Sequence, residues 1–101
     1  MRTRTVIKDL ADYYLKQPDY HRGWISDTMI EIVSYTLGLE HLDDDELCDM
    51  WDMVYLTLDH EYNFYNGNGD WKMAMKYLDV QSAFTEVVNV EARRRKRRKG
   101  E

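Results

Sequence analysis

Residues 42–62 read LDDDELCDMWDMVYLTLDHEY. Asp43, followed three residues later by Glu46, has the form of a capping box, and Leu42 with Leu47 supplies the apolar staple that fixes a helix start. Asp44, Asp45 and Glu46 then fill the first turn, where the helix dipole favours negative charge. Beyond it, Leu47, Cys48, Met50, Trp51, Met53, Val54, Tyr55 and Leu58 cover nearly every position without an acid. Such an arc is wider than the roughly 100° stripe a surface helix needs. The segment is therefore expected to be the central helix of an all-α bundle, or one whose apolar surface is partly covered by a second copy or a partner.

Working outward, the helical spacing recurs on both sides. Val6, Ile7, Leu10, Ala11, Tyr14 and Leu15 form one stripe of a helix opened by Thr3 or Thr5 and closed before Pro18. A second helix is predicted from an N-cap at Ser26, with Ile25 and Ile30 as its staple, to Gly38, with Met29, Ile30, Val33 and Leu37 facing inward. The central helix should run to about Tyr62 and give way to a turn-rich loop from Asn63 to Gly69. Asp70 then caps a last helix carrying Ala74, Tyr77, Leu78, Phe84, Val87 and Val88. The Val-rich stretch Phe84 to Val90 is read as helix, because a lone strand would have no partner. The expectation is a small bundle of about four helices over residues 1–92 and a basic, partly disordered tail over 93–101.

The chain has 101 residues and a formal charge of −5, and that figure hides a segregation. Residues 1–22 carry five basic and three acidic groups, residues 23–71 none and twelve, residues 72–92 two and three, and residues 93–101 seven and one. A single domain of this size has no room for a second activity. No apolar run reaches the ~20 residues of a membrane span, and the N-terminus lacks an apolar signal region. The single Cys48 excludes an internal disulfide and is read as a small helix-packing residue of a reducing compartment, so a cytoplasmic setting is expected.

Asp45, Asp49, Asp52 and Asp59 follow steps of four, three and seven, so they share one helix face, interrupted only by Leu56. A solvated face is the plain reading of an acidic stripe. No base interleaves with this one, although opposite charges at i,i+4 are the usual support for such a face, and like charges there cost a few tenths of a kcal/mol. That points to a protein-binding surface for a basic partner, formed by Asp44, Asp45, Glu46, Asp49, Asp52, Asp59, Glu61 and Tyr65, with nucleic-acid mimicry as its extreme form. Asp45 to Asp59 spans ~21 Å of helix, along which a duplex presents ~12 phosphates. Mimicry would thus need Asp27, Glu31, Glu40, Asp43, Asp44, Glu61 and Asp70 on the same surface, or a homodimer to double it.

The run Arg93-Arg94-Arg95-Lys96-Arg97-Arg98-Lys99 supports a second reading, a nucleic-acid-associated protein that binds phosphates without reading sequence. The alternatives are a solubilising tail and a tail laid on the acidic face of its own or a neighbouring chain. Glu91 precedes Arg95 by four residues, which favours helix in the first turn of the run.

Other chemistry is weakly signalled. His21, His41 and His60 have no metal-ligand spacing, and no nucleophile–base arrangement accompanies Cys48, so no metal, cofactor or catalytic residue is expected. Asn66-Gly67-Asn68-Gly69-Asp70 has oxygen residues like a calcium loop, but Trp71 and Tyr77 fall where such a loop needs Gly and Glu. Helices two and three could pass for a helix-turn-helix, yet the recognition helix would bring Asp44, Asp45, Glu46, Asp49 and Asp52 against phosphates that repel them. Tyr20, Trp24 and Tyr65, placed in loops, are candidate interface anchors.

In size, charge and predicted helicity the chain resembles the small phage-encoded inhibitors that block host nucleases or CRISPR effectors. The likeness is compositional. It implies an inhibitor whose acidic helical face occupies a basic, nucleic-acid-binding surface of a partner protein in the host cytoplasm.

Overall fold

The computed structural model describes residues 2–18, 20, 21 and 24–99, and among them four α-helices and no strand. They are α1 (Thr3–Leu15), α2 (Asp27–Leu37), α3 (Asp44–Gly67) and α4 (Trp71–Lys99), with a short 3₁₀ turn, Leu39–His41, between α2 and α3.

The local start and stop signals act as their chemistry requires. Ser26 caps α2 by accepting from the Met29 amide at 3.1 Å. Gly38 ends it in the left-handed region at φ 66°, a backbone conformation that costs glycine little and other residues more. At α3 both halves of the capping box form: Asp43 accepts from the Glu46 amide at 2.8 Å, and Glu46 accepts from the Asp43 amide at 2.9 Å. Thr3 is the first residue of α1, and the preceding Arg2 provides no side-chain cap.

Two differences lengthen the helices. The first is that α3 continues through Asn63–Gly67, because Tyr65 stacks on Tyr77 of α4, centroids 5.4 Å apart, so packing outweighs the turn preference of the Asn and Gly residues. The turn shrinks to Asn68, Gly69 (φ 78°) and Asp70, whose carboxylate accepts from the Met73 amide at the start of α4. The second is that α4 does not fray at residue 92 but remains helical to Lys99. Gly100 and Glu101 lie outside the described residues.

The three-residue turn makes α3 and α4 antiparallel neighbours, the main contact of the bundle. α4 alone is ~44 Å long, which sets the 49 Å long axis of the molecule. α1 touches α2, α3 and α4, whereas α2 packs on α4 and α1 and scarcely meets α3. Ile7, Val33, Leu39, Val54, Leu58, Val80 and Phe84 are fully buried at the centre. The core is pinned at polar points: Gln81 donates to the Tyr55 carbonyl at 3.1 Å, and the Tyr77 hydroxyl donates to Asp12 Oδ1 at 3.1 Å. Burial, then the Asp12 charge, pushes the Tyr77 phenol well above its ordinary value.

Candidate functional site

On α3 the core-facing residues Leu47, Val54 and Leu58 occupy one side. At about 100° per residue, Asp45, Asp49, Asp52, Leu56 and Asp59 fall within roughly 80° of the opposite side. Asp45, Asp49 and Asp52 are exposed and meet no cation among the described residues. Among the described residues Asp59, half-buried, accepts only from the Asn63 amide group at 3.3 Å. Leu56, between Asp52 and Asp59 in the row, is 57% exposed. Along one edge Trp51 stacks on Tyr55, centroids 5.4 Å apart and planes 10° from parallel. Cys48, expected to pack, is exposed beside them. The apolar arc is narrower in contact than in composition, because α4 and α1 cover α3 on two flanks and nothing described covers the third.

The remaining candidates of the acidic set are engaged inside the fold. Asp44 receives Arg95 at 3.1 Å and Lys99 of α4. The hydrogen bonds from Lys99 and Arg95 hold its carboxyl below the usual carboxylate value. Glu46 completes the capping box. Glu61, half-buried, pairs with Lys8 of α1 at 2.8 Å, which raises the lysine's pKa. Tyr65 is not a loop residue: it lies within α3, half-buried against Tyr77. Of the other two aromatic candidates, Tyr20 is half-buried, edge-on to Tyr14 and bonded to Asp79, while Trp24 is exposed.

The wider acidic surface needed for phosphate mimicry does not assemble on α3. Asp43 and Asp70 cap helices at opposite ends of the α3–α4 hairpin. Glu31 and Glu40 open onto a cleft of about 460 Å³ between α2 and α4, with His41, Val90 and Arg94. Asp27 begins α2, which scarcely meets α3. What faces outward from α3 is a short row of four carboxylates around one leucine.

The basic run divides in the same way. Arg95 lies on the bundle side of α4 and donates to Glu91 Oε2 at 2.8 Å, to Asp44 Oδ1 at 3.1 Å and to the Leu39 carbonyl at 2.7 Å. Glu91 is only 4% exposed and also receives Arg94 at 3.3 Å. Arg93 pairs with Glu86. Lys96, Arg97 and Arg98 are exposed and pair with no acid among the described residues. A tail laid on its own acidic face was one alternative in the sequence, but which residues meet was not legible, since Arg95 and Asp44 are fifty-one residues apart.

His41, Cys48 and His60 open on different surfaces: His41 on the α2–α4 cleft, His60 on a groove between α1 and α3, and Cys48 on neither. No group of His, Cys, Asp and Glu among the described residues is arranged to hold a metal ion. No helix is long and apolar enough to cross a membrane. Compared with known proteins, the chain matches no family model, no curated protein and no solved structure.

Proposed function

We propose that this chain is a non-enzymatic protein-binding module that sets the outward face of α3 against a basic surface of a partner protein. The observation that carries this reading is the row Asp45, Asp49, Asp52 and Asp59 on the side of α3 away from the core, with Leu56 exposed between Asp52 and Asp59. Carboxylates without local counter-charges raise the on-rate for a cationic surface. An apolar residue within such a row, edged by a stacked Trp–Tyr pair, supplies the anchor that charge alone does not. A protein that binds nucleic acid has a cationic surface for that purpose, so occupying it would inhibit the partner. This makes a cytoplasmic inhibitor of a nucleic-acid enzyme, such as a nuclease, the fullest form of the proposal. Four carboxylates spread over ~21 Å match too few phosphates for a duplex mimic. A homodimer would lengthen the row, and sedimentation of the purified chain decides that point.

Affinity capture with the wild-type chain and with Asp45→Asn/Asp49→Asn/Asp52→Asn tests the reading. A protein retained by the first, released by added salt and not retained by the second is the expected result. Retention at equal affinity by both would sink it.

A second reading rests on Lys96, Arg97 and Arg98, which are exposed at the end of α4 without acid partners. They suit phosphate contacts made without sequence preference. Here Lys96→Ala/Arg97→Ala/Arg98→Ala should lose a salt-sensitive affinity for duplex DNA or RNA. Absence of nucleic-acid binding by the wild type at low salt removes this reading.

A further inference from the structure

On the α1-facing flank of α3, beside the acidic row and sharing Leu56 with it, lies a groove of about 580 Å³. Small-molecule sites span roughly 300–1,000 Å³. Three features of this groove point toward a ligand.

The first is its apolar wall. Leu56 and Phe64, 57% and 55% exposed, both line it. They are two turns apart on α3, about 12 Å, and a ligand with an apolar body would cover both.

The second is its charge. Arg4 and Lys8, one turn apart on α1, also line the groove. Glu61 balances Lys8 at 2.8 Å, and Arg4 meets no acid among the described residues. The site thus has one uncompensated positive charge, which suits a monoanion better than a phosphate dianion.

The third is Thr57, which lines the groove, is only 5% exposed, and has a buried hydroxyl with no hydrogen-bond partner among the described residues. Helical threonines ordinarily bond a carbonyl three or four residues back. Thr85 of α4 does so, reaching the Gln81 carbonyl at 2.8 Å. A buried hydroxyl left unpaired is costly, and such groups are rare enough to require a reason. Thr57 stands one helical turn before Glu61, next to the Lys8–Glu61 pair that borders the same groove.

We infer that this groove binds a small amphipathic carboxylate. Its carboxylate lies against Arg4 and Lys8 and accepts from the Thr57 hydroxyl, while its aliphatic or aromatic body covers Leu56 and Phe64. His60 borders the groove without being required as a charge.

The test is titration of the full chain, followed by backbone amide shifts, with octanoate and 4-phenylbutyrate as probes and octylamine and octanol as controls. The carboxylates should saturate shifts confined to the first two turns of α1 and to residues 56–65, and bind at least about tenfold more tightly than either control. Arg4→Gln should remove most of that selectivity. Thr57→Val, which keeps shape and drops the hydroxyl, should melt no lower than wild type yet bind octanoate about fivefold more weakly, and Thr57→Ser should restore the affinity. Equal binding of octylamine, absence of saturable shifts with millimolar octanoate, or unchanged affinity in Thr57→Val would each overturn the assignment. The acidic row is tested separately by the Asp45→Asn/Asp49→Asn/Asp52→Asn variant, which changes no residue of the groove.

Discussion

Of the seven cations from Arg93 to Lys99, Arg93, Arg94, Arg95 and Lys99 each reach a carboxylate, whereas among the described residues no acid from Asp45 to Asp59 reaches a cation. Both are blocks of like charge, and both read in sequence as surfaces for something else. The difference is position. The last turns of α4 run beside the 3₁₀ turn and the first turn of α3, so Arg95 has Glu91, Asp44 and a carbonyl within reach. The acidic row lies on the side of α3 opposite its core-facing residues, with Asp45, Asp49 and Asp52 exposed. Charge of one sign becomes part of the fold where a neighbouring element supplies counter-groups, and remains a surface where none does.

The largest effect expected from this contrast is on the basic block. Deleting residues 93–101 should destabilise the bundle by at least as much as Arg95→Ala, for which the estimate is about 2–3 kcal/mol. The reason is that Arg95→Ala leaves Glu91, 4% exposed, with only the longer Arg94 contact and removes one of the two donors to the Leu39 carbonyl, which keeps the Leu42 amide. Urea unfolding measures both, and a change under about 0.5 kcal/mol would return the block to the status of a separable tail. Arg95→Lys should recover only part of the loss, because one ammonium on a flexible stem cannot reproduce a planar donor set that meets three acceptors.

How far each region was legible follows from the range of the forces involved. Ser26, Gly38 and the Asp43–Glu46 box act over three or four residues, and the helix starts and stops they set are visible in the chain. Whether Asn63–Gly67 is helix or turn depends on Tyr65 meeting Tyr77, a packing contact between helices, so local turn chemistry misplaces that boundary. The order of the basic run depends on Asp44 and Leu39, more than fifty residues away. Local reasoning sees the Glu91–Arg95 spacing support the first turn and, beyond it, only like charges repelling one another, and so predicts fraying. The acidic row was legible because it needs only the helical period and the absence of Lys and Arg from residues 23–71. That Asp44, Glu61 and Tyr65 are engaged by other helices required the structure, as did the α1–α3 groove, whereas the capping role of Glu46 was visible in the chain.

A smaller effect, and one confined to pH, sharpens the boundary between the regions at Asp44, the acid of α3 that the basic run has captured. Lys99 and Arg95 hold its folded pKa below the ordinary 3.8. The associated stabilisation is therefore complete above that value and is lost as pH falls through the lower folded one. Asp44→Asn lacks this dependence, so the stabilities of wild type and variant should differ at neutral pH and converge in acid. A stability difference between wild type and Asp44→Asn that persisted unchanged into acid would mean that Asp44 is no more engaged than the outward row.

The smallest effect on stability is expected from Asp45→Asn/Asp49→Asn/Asp52→Asn, and its smallness is the informative part. Asp45 in the first turn gains a few tenths of a kcal/mol from the helix dipole. Its repulsion with Asp49 one turn on costs a similar amount. None of the three has a partner to lose, so the net change should stay within about 0.5 kcal/mol, with helicity and melting temperature close to wild type. If binding to a cationic partner nevertheless falls and loses its salt dependence, the row acts between molecules and not within one. A loss above about 1 kcal/mol would show that these carboxylates are engaged by the fold after all, as Asp44 is, and the contrast between the two charge blocks would collapse together with the proposed binding face.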